Sequence, residues 1–463
     1  MAASFSSLAL TQMLPFLPLA QGDIDYQAER RSDPSLIADV LSRPSTTVIF
    51  VRDGLVAVPD GQAARVDFET TKMRLATVPG QYVLRAITRQ AGTGADGSKV
   101  LAKGVAASEG DLAAGAGQTV GEIANRLGLI PIFLGSYGVG SERPQSVVAL
   151  DVSVFADRAE GLKNGEGNPQ AATANATAMA GDAEPQAGDA ESQAGDAEPQ
   201  AVNTKAEADD AGSPAVGVKA AAGDARSEAS STNPEADSQL IKRAGRNQIL
   251  ERALQRFDWV SLMGFAPHAS AREAGEATTA ASLSNWHRSQ KHCPRCGCPV
   301  VPAMSGWAQR CTNEQCKAHR SPLFARIEPA VIVSIVDGHD RLLLQHNKAW
   351  KDPSHYSVCA GFVEAGESLE HAARREAAEE TGLALGEVRY LGSQPWPFPG
   401  SLMVAFKARA LGTDVKVDGC ETLDARFLTR DEFTEALAQG TMAAPGKATV
   451  ARYMIEEWYG REL

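Results

Sequence analysis

The chain of 463 residues carries 45 basic and 57 acidic side chains, a net charge of −12, and 43% of it is hydrophobic. That length accommodates two or three domains, each with its own core, and the acidity excludes a general nucleic-acid binder, which would present a basic face. All seven cysteines follow residue 292, which excludes a disulfide framework in the first half and reads as metal ligation in a reducing compartment.

From the N-terminus, Leu8 to Ala20 is apolar but interrupted by Thr11, Gln12, Pro15 and Pro18, with no basic residue ahead of it. The expectation is a cytoplasmic protein without signal peptide or membrane span. Residues 1–156 read as the first part of an N-terminal α+β, mainly β, domain. The β-branched run Thr46 to Val51 is of strand type and ends at the hairpin signal Asp53-Gly54. Tyr82 to Ile87, Pro131 to Gly135 and Ser146 to Val152 are further strand candidates, and Gly121 to Leu127 after Thr119 suits a short helix. Arg30, Arg31 and Asp33 read as a salt-bridged surface turn.

Between 157 and 240 the composition turns to Ala, Gly, Asp, Glu, Gln, Ser and Pro. Heptapeptides AGDAEPQ, AGDAESQ and AGDAEPQ start at Ala180, Ala187 and Ala194. The period is that of a coiled coil, yet no large apolar residue recurs, so a disordered acidic insert is expected. Residues 241–290 read as the helical end of the N-terminal domain, with amphipathic spacing from Leu240 to Phe257 and an Ala- and Glu-rich helix over 267–290.

A zinc ribbon is expected over 291–320. Cys293 and Cys296 are followed after fourteen residues by Cys311 and Cys316, two close pairs at hairpin distance, as in a closed four-thiolate site. The first pair alone would also fit a redox motif, and Cys298 offers an alternative thiol. Cys359 and Cys420 fall in expected strands, as small buried hydrophobes.

The remaining 321–463 read as the catalytic domain. Ala330 to Val336, Arg341 to Gln345, Tyr356 to Ala360, Glu387 to Leu391, Met403 to Ala408 and Ala425 to Leu428 are strands, and Val450 to Tyr459 is a closing helix. Ser368 to Thr381 is of helical composition, capped by Ser368 and stopped by Gly382. It places Glu376, Glu379 and Glu380 at i, i+3 and i+4, where like charges destabilise a helix. A hard divalent cation, Mg²⁺ or Mn²⁺, would compensate; the plainer alternative is a solvated acidic helix neutralised by Arg374 and Arg375.

The order of residues favours the cation. Gly361, Glu367, Arg375-Glu376, Ala377, Glu379-Glu380, Gly382 and Leu383 resemble the Nudix box at every fixed position. The string Ser393-Gln394-Pro395-Trp396-Pro397-Phe398-Pro399, read as a rigid extended loop, resembles the motif that accompanies the box in NADH pyrophosphatases, the group that also acts on NAD-capped RNA. Ile24 to Asp33 resembles the entry segment of the same group. The resemblance implies a Nudix α/β/α sandwich behind a zinc ribbon and a Nudix-like N-terminal domain. It also implies metal-dependent hydrolysis of the NAD(H) diphosphate to AMP and nicotinamide mononucleotide, with removal of NAD caps from RNA. Arg375 would then fix the loop carboxylate Glu367, and Glu367, Glu376, Glu379, Glu380 and Glu421 would hold or serve Mg²⁺ or Mn²⁺, one of Glu379 and Glu380 acting as base. Substrate contacts would fall to Phe324, Ala360, Phe362, Gln394, Pro395, Trp396, Pro397, Phe398, Pro399 and Ser401, and the protein would be a homodimer. Alternatives within and beyond this chemistry are hydrolysis of other nucleoside diphosphate derivatives such as ADP-ribose, and nucleotide binding without catalysis.

Overall fold

The computed structural model describes residues 19–20, 24–63, 72–90, 119–141, 144–157, 250–251 and 254–463. The acidic repeats, and with them nearly all of the expected insert at 157–240, lie outside these residues. In chain order the principal elements are α1 (Leu36–Ser42), β1 (Thr47–Arg52), β2 (Leu55–Pro59), β3 (Thr77–Pro79), α2 (Gly80–Gln90), α3 (Val120–Leu127), β4 (Ile130–Tyr137), β5 (Gln145–Asp151), β6 (Phe257–Ser261), α4 (Leu262–Phe265) and α5 (Ala271–Ser289). The ribbon follows with β7 (Val300–Ala303), β8 (Ala308–Cys311), α6 (Lys317–Arg320) and β9 (Leu323–Phe324). Last come β10 (Glu328–Val336), β11 (Leu342–Asn347), β12 (Cys359–Phe362), α7 (Leu369–Thr381), β13 (Leu385–Trp396), β14 (Ser401–Ala410), β15 (Thr422–Leu428), α8 (Arg430–Gln439) and α9 (Val450–Tyr459).

Two sheets carry the fold. The first runs β4-β5-β1-β2-β6 with β3 also on β1; the second runs β13-β14-β10-β11-β15 with β12 also on β10. Strand for strand the topology is the same, including the parallel pairs β1–β5 and β10–β14. The likeness reaches a β-bulge: β4 slips on β5 between Phe133 and Gly135, and β13 slips on β14 between Tyr390 and Gly392. Aligned on that bulge, Val48 matches Val333, their antiparallel partners Val78 and Cys359 match, and Gly80 falls where Gly361 does. The copies part company at this glycine. In the first, α2 begins at once and its sequence GQYVLRAITRQ has no acidic residue; in the second, a loop leads into the glutamate-bearing α7.

Both sheets are covered on two faces, which explains their near-continuous apolar strands. Along β1, Val48 and Phe50 pack with α1, α2 and α3, while Ile49 and Val51 pack with α5. Along β10, Val331, Val333 and Ile335 face Ala372, Ala373 and Ala377 of α7, while Ile332 and Val336 face Met454, Ile455 and Trp458 of α9. The second sheet and its helices are the expected α/β/α sandwich.

Several local expectations are corrected. Tyr82 to Ile87 is helical, in α2, because its buried residues Val83, Ala86 and Ile87 recur at helical spacing. Phe257 opens strand β6 rather than closing a helix. Cys420 is exposed and precedes β15, whereas Cys359 is buried in β12. Arg31 makes a stack rather than a surface salt bridge: its guanidinium lies 3.5 Å from the ring centre of Trp307 and 5.5 Å from that of Tyr26. Ser393 to Trp396 is not loop but the end of β13, paired with β14. Pro395 is tolerated because β13 is an edge strand, where a missing N–H breaks no ladder.

Candidate active site

Helix α7 is held at both ends. Ser368 Oγ accepts from the His371 N–H at 3.2 Å, and Gly382, at φ 69°, donates its N–H to Ala378 O at 2.9 Å. Its apolar residues face the sheet, which turns Glu376 and Glu380 inward, both buried, and leaves the Glu379 side chain 60% exposed. Glu376 fits because Gly361 has no side chain: a β-carbon at Gly361 would overlap the Glu376 carboxylate.

Arg375 organises the carboxylates. Its Nε and Nη2 grip Glu367 Oε1 and Oε2, each at 2.9 Å; Nη1 donates to Glu376 Oε1 at 2.8 Å and to Glu379 Oε2 at 2.7 Å; Nη2 also donates to Phe362 O at 2.8 Å. The fork geometry of guanidinium makes this possible, and a lysine could not reproduce it. The bidentate grip of Arg375, aided by the Glu364 N–H and His371, holds the Glu367 carboxyl down to about 2.

Glu380 behaves oppositely. Burial pushes it up to about 7, against the lowering contacts of Cys359 and Gln345 and with added repulsion from Glu376 and Glu421. Burial also raises Glu376, opposed by Arg375 and assisted by Glu379 and Glu421. Two buried carboxylates that repel each other and an adjacent third want a cation more than one guanidinium supplies. The donor set is of hard oxygens, which fits Mg²⁺ or Mn²⁺. Glu421 itself is exposed, its carbonyl accepting from Lys348 N–H at 2.8 Å.

The four sulfurs of Cys293, Cys296, Cys311 and Cys316 lie within 4.8 Å of one another, the one such convergence of metal-ligating atoms among the described residues. Cys298 is outside it. The set fits a closed structural zinc site. The ribbon is bolted to the first sheet: Trp307 Nε1 donates to Phe133 O at 2.6 Å, Gly306 sits on Ile132, and His287 of α5 bonds Gly306 O and Gln309.

The residues expected to touch substrate do not form one cluster. Ala360 and Phe362 stand in β12 beside the carboxylates, while Phe324 is 60% exposed on β9 of the ribbon. Gln394 is fully buried: its Nε2 donates to Ala448 O at 2.9 Å and its Oε1 accepts from Val450 N at 2.7 Å, so both amide ends hold the start of α9. Trp396 and Phe398 pack on the core shared with the first sheet, and Asn285 of α5 donates to Pro397 O at 3.0 Å. Pro399 is exposed in the turn to Ser401, which is buried at the start of β14. Sequence reading missed Gln345, Cys359 and Asn285 as partners of these motifs; Gln345 and Asn285 sit in an ordinary strand and helix with nothing in their neighbours to mark them, while Cys359 lies two residues before the box glycine.

Comparison with known proteins places these observations. Residues 326–452 match the NUDIX domain. The NAD-capped RNA hydrolase NudC of Mycobacterium bovis is 42% identical over 192 residues, 39% of this chain and 59% of that protein. Human NAD-capped RNA hydrolase NUDT12 is 36% identical over 196 residues, 40% of this chain and 42% of that protein. The chain thus spans about three fifths or less of the relatives it matches. A crystal structure of a NUDIX hydrolase from Nitrosomonas europaea is 22% identical, with TM-score 0.29, covering 37% of this chain and 95% of its own. No helix among the described residues is long and apolar enough to cross a membrane. The relatives matched are thus NAD-capped RNA hydrolases by name, and the part of this chain that matches a family is residues 326–452, similar to the NUDIX domain.

Proposed function

We propose that the protein hydrolyses the diphosphate bond of NAD(H), giving AMP and nicotinamide mononucleotide, and the same bond in NAD-capped RNA. The observation that carries the reading is the ring of carboxylates around Arg375, with Glu376 and Glu380 buried against the second sheet and raised in pKa. The names of the relatives support the substrate class.

Glu376, Glu379, Glu380 and Glu421 would hold Mg²⁺ or Mn²⁺. A divalent cation bound there supplies charge neutralisation for the diphosphate oxygens and makes water a better nucleophile. Arg375 fixes the loop through Glu367 and keeps Glu376 and Glu379 in place. Glu380, buried and tied by Gln345 at 3.0 Å, is suited to a fixed ligand. Glu379, at the exposed edge, is free to leave Arg375 Nη1 and accept the proton of the attacking water. Phe362, next to the box glycine, offers a ring to a flat base, and the exposed Phe324 offers another to a second copy of the chain in a homodimer.

The test is product analysis by chromatography with NADH, NAD⁺, ADP-ribose and an NAD-capped RNA at matched concentrations in Mg²⁺ or Mn²⁺. AMP with the reduced mononucleotide, formed from NADH and lost in Glu379→Gln, is expected. Faster turnover of ADP-ribose would overturn the substrate assignment, and full turnover by a folded Glu379→Gln protein would overturn the role of Glu379.

A further inference from the structure

Gln345, in β11, is 3% exposed. Its Nε2 donates to Glu380 Oε2 at 3.0 Å, but its Oε1 is buried without a hydrogen-bond partner. With Glu380 ionised, as a cation ligand would be, reversing the amide would set its oxygen against an acceptor, since that carboxylate also accepts from the Cys359 thiol. Nor can the strand shift to pair the oxygen. The Gln345 backbone exchanges N–H bonds of 2.8 and 3.0 Å with Ser357 on one side and sits in register with Ala425 on the other. A buried carbonyl left unpaired is costly, on the order of 1–3 kcal/mol. A hydrophobic residue would avoid that cost, and the neighbours Leu343 and Leu344 show that this strand accommodates one.

We propose that Gln345 is a positioning residue of the carboxylate cluster. Its N–H end orients Glu380, and its free oxygen is an acceptor for a water carried in by the divalent cation. The proposal rests on the reading of the α7 carboxylates as cation ligands, and not on NAD(H) as the substrate. Residues behind a metal ligand fix its orientation and raise its affinity for the ion, and their loss typically weakens binding about 10- to 100-fold.

The experiment is a Mn²⁺ titration of the full chain, followed by electron paramagnetic resonance, for the wild type and Gln345→Leu, with thermal melts in the absence of added divalent ion. A loss of Mn²⁺ affinity of about 10-fold or more is expected, with a melting temperature little changed, since the orphaned oxygen and the donor to Glu380 are lost together. Turnover of NADH should fall in kcat with KM little changed. Gln345→Met, of similar shape and without the amide, should repeat the affinity loss and serves if the leucine variant does not fold. Unchanged Mn²⁺ affinity in a folded variant overturns the proposal, as does a lowered melting temperature with affinity intact, which is the mark of a packing role. The titration contains no dinucleotide, so it decides the matter even if no NAD(H) hydrolysis is found.

Discussion

Gly361 and Glu376 are built around each other: the space that a side chain at Gly361 would fill is occupied by the Glu376 carboxylate. The glycine of the box is therefore required by a neighbour fifteen residues further along the sequence rather than by its own backbone angles. Gly361→Ala should push Glu376 off Arg375 Nη1 and out of the cluster. Displacing one group of a reacting cluster by about an ångström costs on the order of 10²-fold in turnover. Steady-state kinetics should place the loss in kcat, and thermal melts should show a fold retained with modest overpacking strain. Unaltered kcat in Gly361→Ala would mean that Glu376 has no part in the reaction.

The first sheet contains a pH-sensitive group of its own. Glu276 of α5 is buried, and burial raises its carboxyl to about 7 against the lowering contacts of Tyr137 and Arg272. A raised acid keeps its proton in the folded chain while the unfolded chain has released it, so the folded state binds more protons between the ordinary value of 4.5 and about 7. Stability is full below that window and falls as pH rises through it. At 1.36 kcal/mol per unit, the shift corresponds to about 3 kcal/mol. Glu276→Gln should therefore flatten the stability profile from pH 5 to 8 and make the variant the more stable form at pH 8. Denaturant melts at each pH provide the check; a parallel profile for wild type and variant would show that Glu276 is ionised throughout.

Much of residues 321–463 was legible in the sequence because its constraints are local. The cap Ser368, the stop Gly382 and the carboxylates between them are set by helix geometry, and strands buried on both faces announce themselves as runs such as Ala330 to Val336. The ribbon was legible for the same reason, its sulfurs being paired by short spacings. What was hidden depended on contacts remote in sequence. Ser393 to Trp396 looked like loop because of its prolines, and nothing local says that β13 is an edge where proline is harmless. Arg31 read as one more surface cation; its partner Trp307 is in the ribbon. The duplication of the sheet topology left no recognisable repeat in sequence, since a bulge and a strand order can persist while side chains diverge.

The cysteine cluster should carry one structural zinc, with consequences beyond the ribbon. Trp307, Gly306 and Gln309 join it to the first sheet and to α5, so unfolding the ribbon removes part of that packing. Cys311→Ser, at a fully buried sulfur, should release the zinc and lower the melting temperature. Metal analysis of the purified chain should give one zinc per polypeptide in the wild type and little in the variant. An equal zinc content in Cys311→Ser would shift the ligand set toward Cys298, the remaining thiol of that segment.

Gln394 provides the last prediction, because its motif suggests a substrate contact and its surroundings suggest a strut. Val450 N–H is one of the orphan donors at the start of α9, and Ala448 O lies just ahead of it; Gln394 satisfies both from β13. Gln394→Leu would leave two buried backbone groups unpaired, at about 1–3 kcal/mol each. The denaturant midpoint should fall accordingly, and the Val450 amide should exchange faster with solvent while amides in the middle of α9 change less. A ligand contact predicts the opposite pattern: stability and exchange unaltered, with KM raised. Since both ends of the amide are already committed to backbone, the stability loss is the expected result, and any rise in KM should follow from movement of α9.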